Sequence, residues 1–209
     1  MGFVMTRDMK KNLNAFVLGL VLALLTSCGE SKQGTQGGVL GLQPINEDQT
    51  QRIHLYRIGT VLSSFGGRSG ADTHCENNLP ADLVGKETHA LISVNATDEI
   101  LDMVANYNVP LDREIIGHNS GTVIATSWAD FLDGSLAVSL EQAGVMPAGD
   151  TFWSGSNANG SLTVANCSEW TSSASNVFGA AGSATATTSW TYTVSAACNS
   201  LRSLLCIAY

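Results

Sequence analysis

Apolar positions recur along this chain with a period that changes from stretch to stretch. Residues 53–62 alternate and are rich in Ile, Leu, Tyr and Val, which predicts a strand. A glycine-rich turn follows at residues 66–70, and residues 71–77 fit a short helix carrying Cys75. Residues 90–94 form a second apolar run with a β leaning. Over residues 98–107, Ile100, Leu101, Val104 and Tyr107 fall on one helical stripe, with Thr97 placed as N-cap and Val109-Pro110 as the stop. Residues 122–125 and 136–140 read as strands flanking a short helix at residues 127–132. Beyond Gly149 the pattern breaks into short strands and loops rich in Ser, Thr, Ala and Gly. The stretch 171–189 reads as a long ordered loop whose ends Cys167 and Cys198 are able to staple. No internal repeat is present. Mixed helical and strand periods of this kind predict an α+β domain.

The first residues follow a different logic. Arg7, Lys10 and Lys11 precede an apolar run at residues 15–25, too short for the roughly 20 residues a membrane span needs. Leu25-Thr26-Ser27-Cys28 then resembles the bacterial lipobox, a pattern whose cysteine becomes the lipidated first residue. Residues 1–28 are therefore expected to be a lipoprotein signal segment, with lipidation at Cys28. Gly29 stands where Asp favours inner-membrane retention in enteric lipoproteins, so the resemblance implies a lipid anchor in the outer membrane. The domain would then be periplasmic or surface-exposed. Residues 29–50, rich in Gly, Gln and Ser, read as a flexible tether. Residues 51–209 are left as one domain, long enough to bury a core.

Charge narrows the partners. The chain has ten basic and eighteen acidic residues. Three of the basic and one of the acidic lie in residues 1–28, leaving 7 against 17 and a net of −10. This balance argues against nucleic acid, heparin-like polyanions and anionic lipid headgroups as partners. The five cysteines are an odd number for an exported chain. With Cys28 lipidated, Cys75, Cys167, Cys198 and Cys206 remain and can pair completely in an oxidising compartment. Counting alone leaves three pairings open.

Four blocks, in order, resemble endostatin, the C-terminal domain of type XVIII and XV collagens and a variant of the C-type-lectin-like fold. His54-Leu55 opens the first strand. Gly67-Arg68-Ser69-Gly70-Ala71-Asp72-Thr73-His74-Cys75 resembles Gly-x-x-Gly-Ala-Asp-x-x-Cys. Ser127-Trp128-Ala129-Asp130-Phe131-Leu132-Asp133-Gly134-Ser135 resembles Ser-Trp-Glu-Ala-Leu-Phe-x-Gly-Ser. The closing third matches at Trp153, Gly155, Ser156, Asn159 and Gly160, then at Cys167 and Trp170, and at Leu205-Cys206-Ile207. The resemblance spans about residues 52–209 and implies an endostatin-like, C-type-lectin-like fold. It also implies two nested disulfides, Cys75–Cys206 and Cys167–Cys198. Similar domains occur in bacterial surface lipoproteins.

Departures from the pattern limit what else carries over. The arginine-rich heparin face is absent: Arg52, Arg57, Arg68, Arg113 and Arg202 are scattered, so heparin binding is not expected. Of the family's zinc ligands only His54 has a counterpart, and Gly121 falls where an aspartate is needed. His54, His74, His89 and His118 share no metal-ligand spacing, and the calcium–sugar motifs of true C-type lectins are missing. No metal or cofactor is expected.

No catalytic constellation is legible either. Gly-x-Ser-x-Gly is absent, Asp130 and Asp133 read as a solvated helix face, and Cys75 beside His74 is claimed by a disulfide. Trp128 and Trp170 read as core. The candidate binding face is formed by the loops of residues 154–160 and 171–189, with Trp153, Ser154, Ser156, Asn157 and Asn159 as ligand contacts. The expectation is a non-enzymatic ligand-binding or adhesion domain for a glycan or an envelope or extracellular protein. The alternative is a structural role, docking to other proteins during envelope assembly.

Overall fold

A computed structural model describes residues 51–209. The predicted signal segment of residues 1–28, the lipidation position Cys28 and the tether of residues 29–50 lie outside the described residues.

The fold is α+β, mostly sheet with few and short helices. β1 (Ile53–Val61) runs antiparallel to β8 (Arg202–Ala208) at the centre of the sheet. β3 (Ile115–Gly117) lies parallel to β1 on its other side, and β4 (Val123–Ala125) completes that flank. Beyond β8 come β5 (Thr151–Trp153), β6 (Phe178–Ser183) and β7 (Val194–Ala197), while β2 (Thr88–Ala90) pairs with the far end of β8.

Two clusters sandwich the central strands, because side chains alternate between the faces of a strand. Ile53, Leu55, Leu205 and Ile207 face one cluster with Phe131, Phe152 and Trp190. Tyr56, Ile58, Leu204 and Cys206 face the other with Trp153 and Trp170. This explains why β8 reads as an unbroken apolar run: Ser203 through Ala208 are all buried, with both faces covered.

α1 (Gly67–Asn77) packs on the second cluster through Ala71 and Cys75. Its first turn includes the glycines expected to form a loop, since the helix begins at Gly67. Gly70 is required there, as a Cβ would sit 1.6 Å from the Phe65 carbonyl oxygen. The disulfide Cys75–Cys206 ties α1 to β8 with Cα atoms 5.8 Å apart. Cys167–Cys198, with Cα atoms 5.7 Å apart, lies nested inside it in sequence.

Arg68 anchors the other side of α1. Its guanidinium grips both Asp98 carboxylate oxygens and donates to the carbonyls of Ala90 and Ile92, while standing 5.2 Å from the Tyr107 ring centroid. Asp72, one helical turn later, accepts from the Ala90 amide and lies 3.1 Å from His89 Nδ1. Burial alone disfavours the His89 imidazolium, but the hydrogen bonds and charges of Asp72 and Glu87 outweigh it and raise the pKa.

Three sequence expectations are corrected. The helix expected over residues 98–107 is only α2 (Met103–Tyr107). The Leu101 amide donates to Gly160 O and the Ile100 amide to Ser93 Oγ, so these amides tie the segment to distant chain instead of an earlier turn. Thr97 is accordingly no cap; its amide and hydroxyl both donate to Asn95 Oδ1. Residues 136–140 form no strand. Leu136 and Leu140 are buried as their pattern suggests, but the amides of Leu136 and Ala137 bond to two different segments, at Thr187 O and Ile124 O. The stretch 171–189 is not all loop, because it contains β6, whose small residues Gly179 to Gly182 pack where larger ones would clash. α3 (Trp128–Phe131) forms as expected, capped by the Ser127 hydroxyl accepting from the Asp130 amide.

Candidate functional site

The closing third builds its surface around an unusual turn. In α4 (Cys167–Trp170) all four residues have positive φ, from 51° to 61°, and none is glycine. Each left-handed L-residue costs about 1 kcal/mol. Several contacts offset that cost. Cys167 is held by its disulfide, and the Asn166 side chain accepts from the Glu169 amide. Trp170 is fully buried, donates from Nε1 to Ser93 O at 2.8 Å and stacks on Phe65 at 5.3 Å.

Beside this turn lies a groove of about 540 Å³. One wall is Val164, Ala165, Asn166 and Ser168; the other is Val177 and Phe178 at the start of β6, with Tyr192 and Ser195 from the approach to β7 and its second residue. Phe178 is 51% exposed and Val164 fully so, both large apolar side chains left in water. Tyr192 Oη and Ser195 Oγ share a hydrogen bond at 2.7 Å. No Asp, Glu, His, Lys, Arg or Cys side chain lines the groove. It can stack, pack and exchange hydrogen bonds, but it presents no carboxylate or imidazole to move a proton.

The residues expected to bind do not share one surface. Trp153, Ser154 and Ser156 are buried. That part of the expectation is corrected: these side chains hold the loop from beneath. Trp153 donates to Val61 O at 3.3 Å and lies edge-on to Trp170. Ser154 Oγ donates to the Thr191 and Ala180 carbonyls, and Ser156 Oγ to those of Asn157 and Ser161. Asn157 and Asn159 are exposed, yet both amides bond within their own turn, Asn157 to Ser161 and Leu162, Asn159 to Ser161. Gly155 is required beneath them, with φ 63° and no room for a Cβ, which would lie 2.5 Å from Ser93 O.

Sequence reasoning reached the stretch 171–189 as a candidate recognition loop but did not single out Phe178 within it. The signal was available, because it is the single aromatic residue in the stretch 171–189. It was obscured because a Ser/Ala/Thr-rich context reads as loop, and strand β6 is what turns that ring outward. Trp128 and Trp170 are core residues, 2% and 0% exposed.

Elsewhere, the candidate acid–base groups have structural partners. Asp130 accepts from the Thr126 amide and hydroxyl, bonds that hold its carboxyl below the usual range, and Asp133 accepts from Ser135. The His74 ring lies edge-on to Phe65, and the neighbouring Cys75 carries no free thiol because it is disulfide-bonded to Cys206. His54 and His118 pack edge to face at 5.7 Å. Among the described residues no group of three or more His, Cys, Asp or Glu side chains is arranged to hold a metal ion.

A family model described as "Protein of unknown function (DUF1554)" matches residues 60–187. The chain belongs to the DUF1554 family. The DUF1554 match includes Cys75, Cys167, α4, Val164 and Phe178, and stops before Tyr192, Cys198 and Cys206. One wall of the groove, Val177 and Phe178 of the other, and one cysteine of each disulfide therefore lie within it. The search of curated proteins returns no match. Among the described residues no helix is long and apolar enough to cross a membrane.

Proposed function

We propose that this is an outer-membrane lipoprotein presenting a non-enzymatic, endostatin-like recognition domain of the C-type-lectin-like class. Its groove beside α4 recognises a glycan. The observation that carries this reading is the groove itself: exposed Phe178 and half-exposed Tyr192, with hydroxyls between them and no ionisable base. A sugar presents an apolar C–H face and a rim of hydroxyls. Aromatic rings match the first, and Ser168, Ser195 and Tyr192 Oη match the second. The rigid frame suits such a role, because a prearranged site loses less entropy on binding. Support for the fold class comes from the disulfide between the first helix and the last strand, the feature the endostatin resemblance implies.

Phe178→Ala combined with Tyr192→Ala tests the site. Each stacked ring contributes about 1 kcal/mol, so retention on the glycans that the unaltered chain selects from an array should fall at least roughly tenfold. Silence on the array, with capture of an envelope protein that the same double variant abolishes, would favour the assembly role instead. Turnover of a peptidoglycan or ester substrate would overturn both readings.

The anchor is tested separately. Cys28→Ser should move the protein from the membrane fraction to the soluble envelope fraction, because acyl chains contribute about 0.8 kcal/mol per buried methylene. Retention of the variant in membranes would remove the lipoprotein reading and leave the groove reading intact.

A further inference from the structure

A second concave site lies on the opposite flank of the sheet, where β3 stops short of β1. The register of β1 with β3 ends at Leu55↔Gly117, whereas β1 runs on to Val61. The bonds from Ile53 N–H to Glu114 O and from His118 N–H to Leu55 O show that odd-numbered residues of β1 turn their backbone groups toward β3. Tyr56 and Ile58 pair the other way, with Cys206 and Leu204 of β8. The Arg57 amide and carbonyl therefore point into the space that a longer β3 would occupy.

That space is a cavity of about 480 Å³. Asn78 and Pro80, following α1, wall one side of it, and Met146 and Pro147 wall the other; His118 and Asn119 close the end. The two prolines have no N–H, and the Asn78 and Met146 amides already donate to Cys75 O and Leu140 O, so these walls hold no spare backbone donor for the Arg57 carbonyl. A bare strand edge of this kind is a template for an incoming strand.

We infer that this notch binds an extended peptide segment, which adds to β1 as a strand continuing the line of β3. The chemistry favours a peptide over other ligands. An anion would need an unmatched cation, yet Arg57 already meets Asp150 at 2.8 Å and His118 meets Asp82 at 3.4 Å. A sugar would need an exposed ring, yet Tyr56 is 4% exposed and its hydroxyl bonds Cys75 O and Thr88 Oγ1. What remains open is main chain, and main chain is what an extended peptide pairs with. Of β1, Tyr56 and Arg57 line the notch, and the register with β8 runs unbroken as far as Ile58, so the open length is residues 56–58, roughly 10 Å at about 3.3 Å per residue.

Amide hydrogen exchange on the full mature chain tests the premise. The Arg57 amide should exchange at least roughly tenfold faster than those of Tyr56 and Ile58. Selection from a phage-displayed library of linear peptides about seven residues long supplies the probe. A selected peptide should slow exchange at Arg57 by at least about tenfold. Asn119→Trp, at an exposed position on the rim, should weaken that peptide at least about tenfold. The inference is overturned if Arg57 is as protected as Ile58 without peptide, which would mean the chain fills its own notch. It is also overturned if the library yields no binder, or if selected peptides tolerate Asn119→Trp.

Discussion

Replacing Cys75 and Cys206 together with serine is expected to lower the stability of the domain by about 5 kcal/mol. The bond closes a loop of 131 residues, and the chain-entropy model assigns roughly that value to a loop of such length. Both positions are fully buried, so two serine hydroxyls would also enter an apolar cluster. For a domain of this size the melting temperature should fall by about 10–20 °C. The inner bond, Cys167–Cys198, closes 31 residues and corresponds to about 4 kcal/mol, but its loss should act differently. It holds the left-handed turn of α4, so the groove should loosen before the sheet does. Urea unfolding of the two paired variants, read by tryptophan fluorescence, separates the cases. A loss under about 1 kcal/mol for the outer pair would show that the denatured chain already holds α1 against β8.

The second large effect belongs to Arg68. Arg68→Met should destabilise the domain by about 3–5 kcal/mol, the range found when one partner of a buried ion pair is removed. The guanidinium is 12% exposed and Asp98 15% exposed, and the carbonyls of Ala90 and Ile92 lose their donor as well. Arg68→Lys should not restore the loss, because a single ammonium cannot span a bidentate carboxylate and two carbonyls. Adding Asp98→Asn to Arg68→Met should recover part of it by removing the stranded charge. Chemical denaturation of the single and double variants gives the coupling. Additive losses would mean that Arg68 and Asp98 act separately, and the network would not be the clasp that fixes α1 against β2.

Much of the frame was legible because its causes are local. β1 announces itself by alternation, β8 by an unbroken apolar run, and α3 by Ser127 placed three residues before Asp130. Residues 98–102 and 136–140 were misread for one shared reason. Their apolar spacing is real, and Ile100, Leu136 and Leu140 are buried, but the amides of Leu101, Leu136 and Ala137 bond to carbonyls far along the chain and that of Ile100 to the Ser93 hydroxyl. Periodicity reports which side chains go inside; it does not report where the amides go.

The candidate site was legible only to the level of the chain segment. Trp153, Ser154 and Ser156 stood out because aromatic and hydroxyl residues beside glycine suggest a binding loop, and the same residue types also make a buried brace for one. Val164, Phe178 and Tyr192 come from three separate stretches, and only the pairing of β6 with β7 and the staple at Cys167–Cys198 bring them to one groove.

By itself the sequence determined the α+β class, the acidic character of the domain, the even set of four cysteines and most of the core side chains. These follow from composition and period, which are properties of short windows. Tertiary structure decided the rest. It chose which amides pair across the chain, which rings are covered and which are left in water. It also set where β3 ends and leaves the backbone of Arg57 open, because those outcomes depend on contacts between residues far apart in sequence.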